Sequence, residues 1–90
     1  MKPQKLLLSQ NYPNPFNAST IIRLQIPNLS NSKLIIFDVL GREVTTLVNE
    51  QLKPGTYEVE WDASNFPSGV YYYVLTSGDF KETKKMVLLK

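Results

Sequence analysis

The sequence predicts an all-β fold, an antiparallel sandwich of about seven strands. Two observations carry this expectation: apolar residues recur at period two or in short runs, and turn-forming residues interrupt them at fairly even spacing. The clearest case is "GTYEVEW", where Tyr57, Val59 and Trp61 face the core while Thr56, Glu58 and Glu60 face water; a helix would scatter those charges. Ninety residues make one domain with one core, and a chain this short buries only about two thirds of the surface its unfolded form exposes.

The first strand is expected over Lys5–Ser9. "QNYPNPFNAST", residues 10–20, then breaks the pattern. Its two X-Pro bonds exclude a helix or an inner strand, because each proline lacks a donor and pushes its predecessor into an extended conformation. The second strand, Thr20–Pro27, sets Ile22, Leu24 and Ile26 inward and Arg23 and Gln25 outward, leaving Ile21 exposed or at a sheet edge. The third, Lys33–Asp38, and the sixth, Gly69–Ser77, contain "LIIFDV" and "VYYYVL", apolar on both faces, so periodicity alone does not choose their inner face. Glu43–Asn49, Gly55–Trp61 and Phe80–Leu89 complete the set.

The connections have their own chemistry. In "DVLGRE", Asp38 accepts backbone N–H groups and Gly41 takes positive φ, giving a type I turn with a left-handed bulge residue. "KPGT" places Pro54 and Gly55 at the centre of a type II turn. "DASNFPSG", residues 62–69, reads as a corner in which Asp62 or Ser64 caps a single helical turn before Pro67, and "SGD" around Gly78 closes the last hairpin.

Composition narrows the function. Hydrophobic residues at 42% and charged residues at 20% belong to a folded chain. Without cysteine there is no disulfide or thiolate zinc site, and without histidine the usual general base and commonest metal ligand are missing. A net charge of +2 is too small to predict nucleic-acid binding. No apolar run approaches the ~18 residues of a membrane span, and the three leucines of "MKPQKLLLSQ" fall short of a signal peptide; if the protein is exported, an address of that kind lies elsewhere.

Candidate chemistry reduces to structure at most positions. Glu58, Glu60 and Asp62 form a solvated face, since side chains two apart on a strand sit roughly 7 Å apart in water, where nothing splits their pKa values. Asp38 with Arg42 reads as a turn cap with an ion pair, and no serine has a base to activate it. "DASN" and "SGD" lack the ligand spacing of a calcium loop. Tyr72 must face away from Tyr71 and Tyr73, so the tyrosine run is core packing rather than a stacking platform, and Trp61 and Phe66 plug the core or the corner. "KETKKMVLLK" is a final strand whose Lys84, Lys85 and Lys90 blunt an edge, or a basic tag read by another protein. "NAS" at 17–19 and "NLS" at 28–30 match a glycosylation sequon too common to weigh.

Five motifs in fixed order add something more specific. "YPNPFN" at 12–17, "DVLGREV" at 38–44, "PGTYEVEWDA" at 54–63, "PSGVYYYVL" at 67–75 and the terminal "KKMVLLK" resemble the type A C-terminal sorting domain of the type IX secretion system, over about Leu7 to Lys90. The immunoglobulin-like domain of the flagellar hook-capping protein is similar. The resemblance implies an immunoglobulin-like module over residues 6–90, without enzymatic activity or cofactor, at the end of a larger secreted protein of the Bacteroidota and related phyla. It implies cargo crossing the periplasm to the outside or the cell surface, with an outer-membrane translocon, its processing peptidase and an N-terminal cargo domain as partners, and neither nucleic acid nor stable membrane insertion. Residues 1–5 are expected to be a disordered start or linker remnant, with Met1 an introduced start or the beginning of an excised tail. The family's motif positions fall on Tyr12, Pro13, Asn14, Pro15, Phe16 and Asn17, on Asp38, Gly41, Arg42, Gly55, Trp61, Gly69 and Tyr71, and on Lys85, Met86, Val87, Leu88, Leu89 and Lys90; recognition is expected at residues 12–17 and at Lys84 with the six residues after it, and a structural role at the middle set together with Pro54. It also implies Leu34, Ile36, Tyr71, Tyr73 and Leu75 as the inward set. The family's frequent proline after Asn17 is here Ala18, which is expected to loosen the loop.

"YPNPFN" is accordingly expected to be a semi-rigid extended segment that stands the domain off from what precedes it, with Phe16 as a plug and Asn14 and Asn17 capping loop N–H groups. Recognition is expected through the terminal strand and adjacent exposed edges. The alternative is a structural, adhesive or carbohydrate-binding sandwich module of a cell-surface enzyme.

Overall fold

A computed structural model describes residues 5–90, so most of the expectation for residues 1–5 lies outside the described residues. The chain forms seven strands: β1 (Leu7–Leu8), β2 (Ser19–Ile26), β3 (Ser30–Asp38), β4 (Glu43–Leu52), β5 (Gly55–Asp62), β6 (Gly69–Ser77) and β7 (Phe80–Leu88). They build a three-stranded sheet, β1-β2-β5, and a four-stranded sheet, β4-β3-β6-β7, with every strand pair antiparallel. Pairing of the second strand with the fifth, and of the third with the sixth and the sixth with the seventh, is the immunoglobulin arrangement; the fourth strand lies beside the third rather than the fifth.

Alternation decides which face is inside. Ile22, Leu24 and Ile26 of β2 are fully buried, Trp61 closes β5, and Tyr57 and Val59 pack against the core half-buried. In the strands that are apolar on both faces, Leu34, Ile36, Tyr71, Tyr73 and Leu75 point inward, and Tyr72 outward. Ile21 sits on the outer face, 42% exposed.

The 38–42 turn forms as the residues dictate. Gly41 N–H donates to the Asp38 carbonyl, Gly41 has φ 82°, and one Asp38 carboxylate oxygen accepts the N–H groups of Leu40 and Arg42, each at 2.9 Å. The Arg42 N–H is the main cause of the lowered pKa of Asp38, with further help from the Arg42 guanidinium at 2.8 Å. At the corner, Asp62 is the cap: its carboxylate accepts both the N–H and the hydroxyl of Ser64, which lowers its pKa. The helical turn expected there is a single Phe66 N–H to Ala63 carbonyl bond of 3.0 Å. Gly78, at φ 59° and followed by Asp79 at negative φ, makes the two-residue hairpin of II′ type between β6 and β7.

Two expectations need correction. Pro54 and Gly55 do not form a type II turn, because Gly55 has φ 159°, far from the roughly +80° such a turn requires. The link joins β4 of one sheet to β5 of the other, so it arches between layers instead of reversing within one. Gly55 pairs with Ile26, and the free Lys53 carbonyl accepts the Tyr57 hydroxyl at 2.6 Å. The first strand, expected over five residues, shrinks to Leu7–Leu8 because the chain then turns inward, carrying Asn11 to 2% exposure.

Candidate functional site

Residues 10–17 lie flat on the domain as a strap, which overturns the expectation that they stand it off. Their course begins beside β2, where Tyr12 and Ile21 exchange two backbone bonds of 2.9 Å. Both Tyr12–Pro13 and Asn14–Pro15 are cis, and past them the chain leaves the first sheet and reaches the outer edge of β7 in the second. There Phe16 pairs in parallel with Leu88: Phe16 N–H donates to the Val87 carbonyl and Leu89 N–H to the Phe16 carbonyl, each at 2.9 Å.

Side chains extend this seam. The Gln10 amide donates to the Lys85 carbonyl at 2.8 Å, and the Asn14 carbonyl oxygen accepts the Val87 N–H at 3.1 Å. Asn14 therefore caps a strand edge rather than a loop, and Asn17 makes no side-chain hydrogen bond among the described residues. The two segments expected to carry recognition, at opposite ends of the chain, are thus fastened into one surface.

Phe16 anchors the strap. Its ring is 2% exposed and sits 5.8 Å from that of Trp61, which also meets Phe66 at 5.5 Å and Tyr71, edge-on, at 5.3 Å. Tilted and edge-to-face contacts of this kind add to the burial of large rings. The Tyr71 hydroxyl donates to the Pro67 carbonyl at 2.7 Å, and burial, reinforced by the Asp38 charge, raises its pKa.

A buried polar knot holds the other end of the strap. The Tyr73 hydroxyl donates to the Ser9 carbonyl at 2.7 Å and accepts the Asn11 N–H at 2.8 Å. The Asn11 side chain donates to Thr20 Oγ1 at 3.0 Å and to the Pro13 carbonyl at 3.1 Å, and Thr20 donates to the same carbonyl at 2.8 Å. Burial pushes the Tyr73 pKa up to about 12, partly offset by the Asn11 N–H. Gln10, Asn11, Thr20 and the Tyr73 hydroxyl escape the motif reading, yet a signal exists. A tyrosine pointing inward must find a partner for its hydroxyl, and the backbone groups of the irregular segment just before the first proline supply one.

Ala18, the departure from the family pattern, has φ 76° and its carbonyl accepts the Ala63 N–H. A left-handed conformation costs an L-residue roughly 1–2 kcal/mol, while glycine loosens the unfolded chain by about 0.4–1 kcal/mol. Ala18→Gly should therefore raise stability by about 0.5 kcal/mol in a denaturant titration. Ala18→Pro should lower it, because proline holds φ near −65°.

The outer side of the seam is exposed. Tyr12 is 80% exposed, so packing does not explain its ring. Met86 and Leu88 are buried in the core, Lys85 faces solvent, Lys84 pairs with Glu82 at 3.2 Å, and Leu89 is 56% exposed. Lys90 is turned back to the corner, with its N–H on Ser68 and its ammonium on the Ser64 carbonyl at 2.6 Å. The carboxylates on the outer face of β5 do not converge: Glu58 pairs with Arg23 and Glu60 accepts the Ser19 hydroxyl.

No curated protein matches this chain. A family model described as the secretion system C-terminal sorting domain matches residues 10–89.

Proposed function

Because the chain belongs to the family of secretion system C-terminal sorting domains, non-enzymatic modules that direct secretion through the type IX system, we propose that its address is the surface where the strap crosses β7. Such a domain marks its cargo for secretion or the cell surface. The partners assigned to this surface are the outer-membrane translocon, which reads it after the cargo has reached the periplasm, and the processing peptidase that follows; the cargo domain is the N-terminal partner in this reading.

One observation carries the assignment. Gln10, Asn14 and Phe16 on one side and Lys85, Val87 and Leu89 on the other, distant in sequence, meet along a single hydrogen-bonded seam, with Tyr12 on the strap between Gln10 and Asn14. A receptor at this seam reads a folded domain, because unfolding separates its two halves.

The test is a fusion of residues 1–90 behind a signal peptide and a reporter in a type IX-competent host. The reporter should appear outside the cell; retention in the periplasm would defeat the sorting role. Tyr12→Ala should cut export by about tenfold, the cost of losing an interface aromatic, with little change in melting temperature because the ring is exposed. Unchanged export would remove the strap from the recognition surface.

A further inference from the structure

The free sheet edges are not alike. β1 is only two residues long, and β4 carries register shifts that leave Val44 and Leu47 without partners opposite; bulges of this kind turn an edge away from added strands. β5 is unbroken but presents Glu58, Glu60 and Asp62 outward, the first two already engaged by Arg23 and Ser19. β7 pairs with β6 over Phe80–Leu88 without a register shift.

Odd-numbered residues of β7 aim their backbone groups away from β6, as the bonds of Lys85, Val87 and Leu89 to the strap demonstrate. The strap consumes that row at the C-terminal end and stops at the Lys85 carbonyl, held by Gln10. Beyond it the Lys85 N–H and both backbone groups of Thr83 and Lys81 have no partner among the described residues. Half of the edge is sealed and half is open.

We propose that the open half, Lys81–Lys85, takes an extended acidic segment of the secretion machinery as an added fifth strand of the larger sheet. This rests on the sorting role and names the chemistry of its partner. Main-chain bonds to the open row would supply affinity, and the flanking side chains would supply selectivity. Lys81 and Lys85 are exposed on the outer face with Thr83 between them, so acidic side chains at alternate positions would stand opposite both ammonium groups. A second copy of β7 would set lysine against lysine, which is repulsive. The strap fixes the length, since a strand entering from the hairpin end meets Gln10 after about five residues, roughly 17 Å.

The experiment titrates a blocked peptide of alternating glutamate and valine against the isotope-labelled chain, following amide resonances. Shifts should centre on Lys81, Thr83 and Lys85 and weaken as salt is raised. Thr83→Pro deletes an outward N–H that β6 does not use and should weaken binding at least about tenfold. Should that variant fail to fold by circular dichroism, the double variant Lys81→Glu with Lys85→Glu carries the test, because both side chains are exposed. It should lose the acidic peptide to the same degree and gain a lysine–valine one. Absence of binding, shifts elsewhere, or a double variant that binds like the native chain would overturn the proposal. In the secretion assay, native export with an unaffected double variant rejects the docking strip alone, whereas retention of the native fusion rejects the sorting role itself.

Discussion

Phe16→Ala should cost about 3–5 kcal/mol, the usual price of removing a buried phenylalanine, and lower the melting temperature by at least about 12 °C. The ring is 2% exposed and packs on Trp61, so its removal leaves a cavity beside the tryptophan at the centre of the aromatic cluster. A domain of this size has only roughly 5–13 kcal/mol of total stability, so the loss is a large fraction of the whole. The seam should fail with it: the amides of Phe16 and Leu89, which hold strap and strand together, should lose hydrogen-exchange protection before those of β3 and β6. Denaturant titration together with exchange checks both. A loss below about 1 kcal/mol would mean that the ring is not the anchor.

Tyr73→Phe is the second large effect, although it removes a single oxygen. That hydroxyl serves the Ser9 carbonyl and the Asn11 N–H at once, and its loss strands both inside the domain. At about 1–3 kcal/mol for each unsatisfied group, with the half-buried Ser9 carbonyl at the low end, the variant should be destabilised by roughly 2–4 kcal/mol. It should also change the response to alkali. The folded-state pKa of about 12 lies above the ordinary tyrosine value of 10.0, so the protonated hydroxyl is favoured by folding. Its contribution is fully present below pH 10 and is lost as pH rises through about 12. Melting temperatures measured across that interval should fall more steeply for the native chain than for Tyr73→Phe. Tyr71, shifted in the same direction, keeps part of the slope in both.

Those two residues also mark the limit of what the sequence discloses. Alternation was enough for β2 and β5, where charges between apolar residues leave one solution, and for the turn at Asp38, whose chemistry is contained in five residues. Strands β3 and β6 are apolar on both faces, so alternation sets Tyr73 opposite Tyr72 but only the family resemblance turns Tyr73 inward. Phe16 was legible as a plug, but the docking of the strap was not, because its partner Val87 lies 73 residues from Asn14. Local pattern carries no information about such a pairing. The Pro54–Gly55 link was misread for a related reason: its dipeptide suits a tight reversal, and only the assignment of β4 and β5 to different sheets reveals an arch.

The parallel run of Phe16 beside Leu88 has a mechanical consequence. Tension applied between Lys5 and Lys90 pulls the two segments in opposite directions along their length, so their bonds are loaded in shear and must rupture together. An antiparallel pairing pulled from the same ends would peel open one bond at a time.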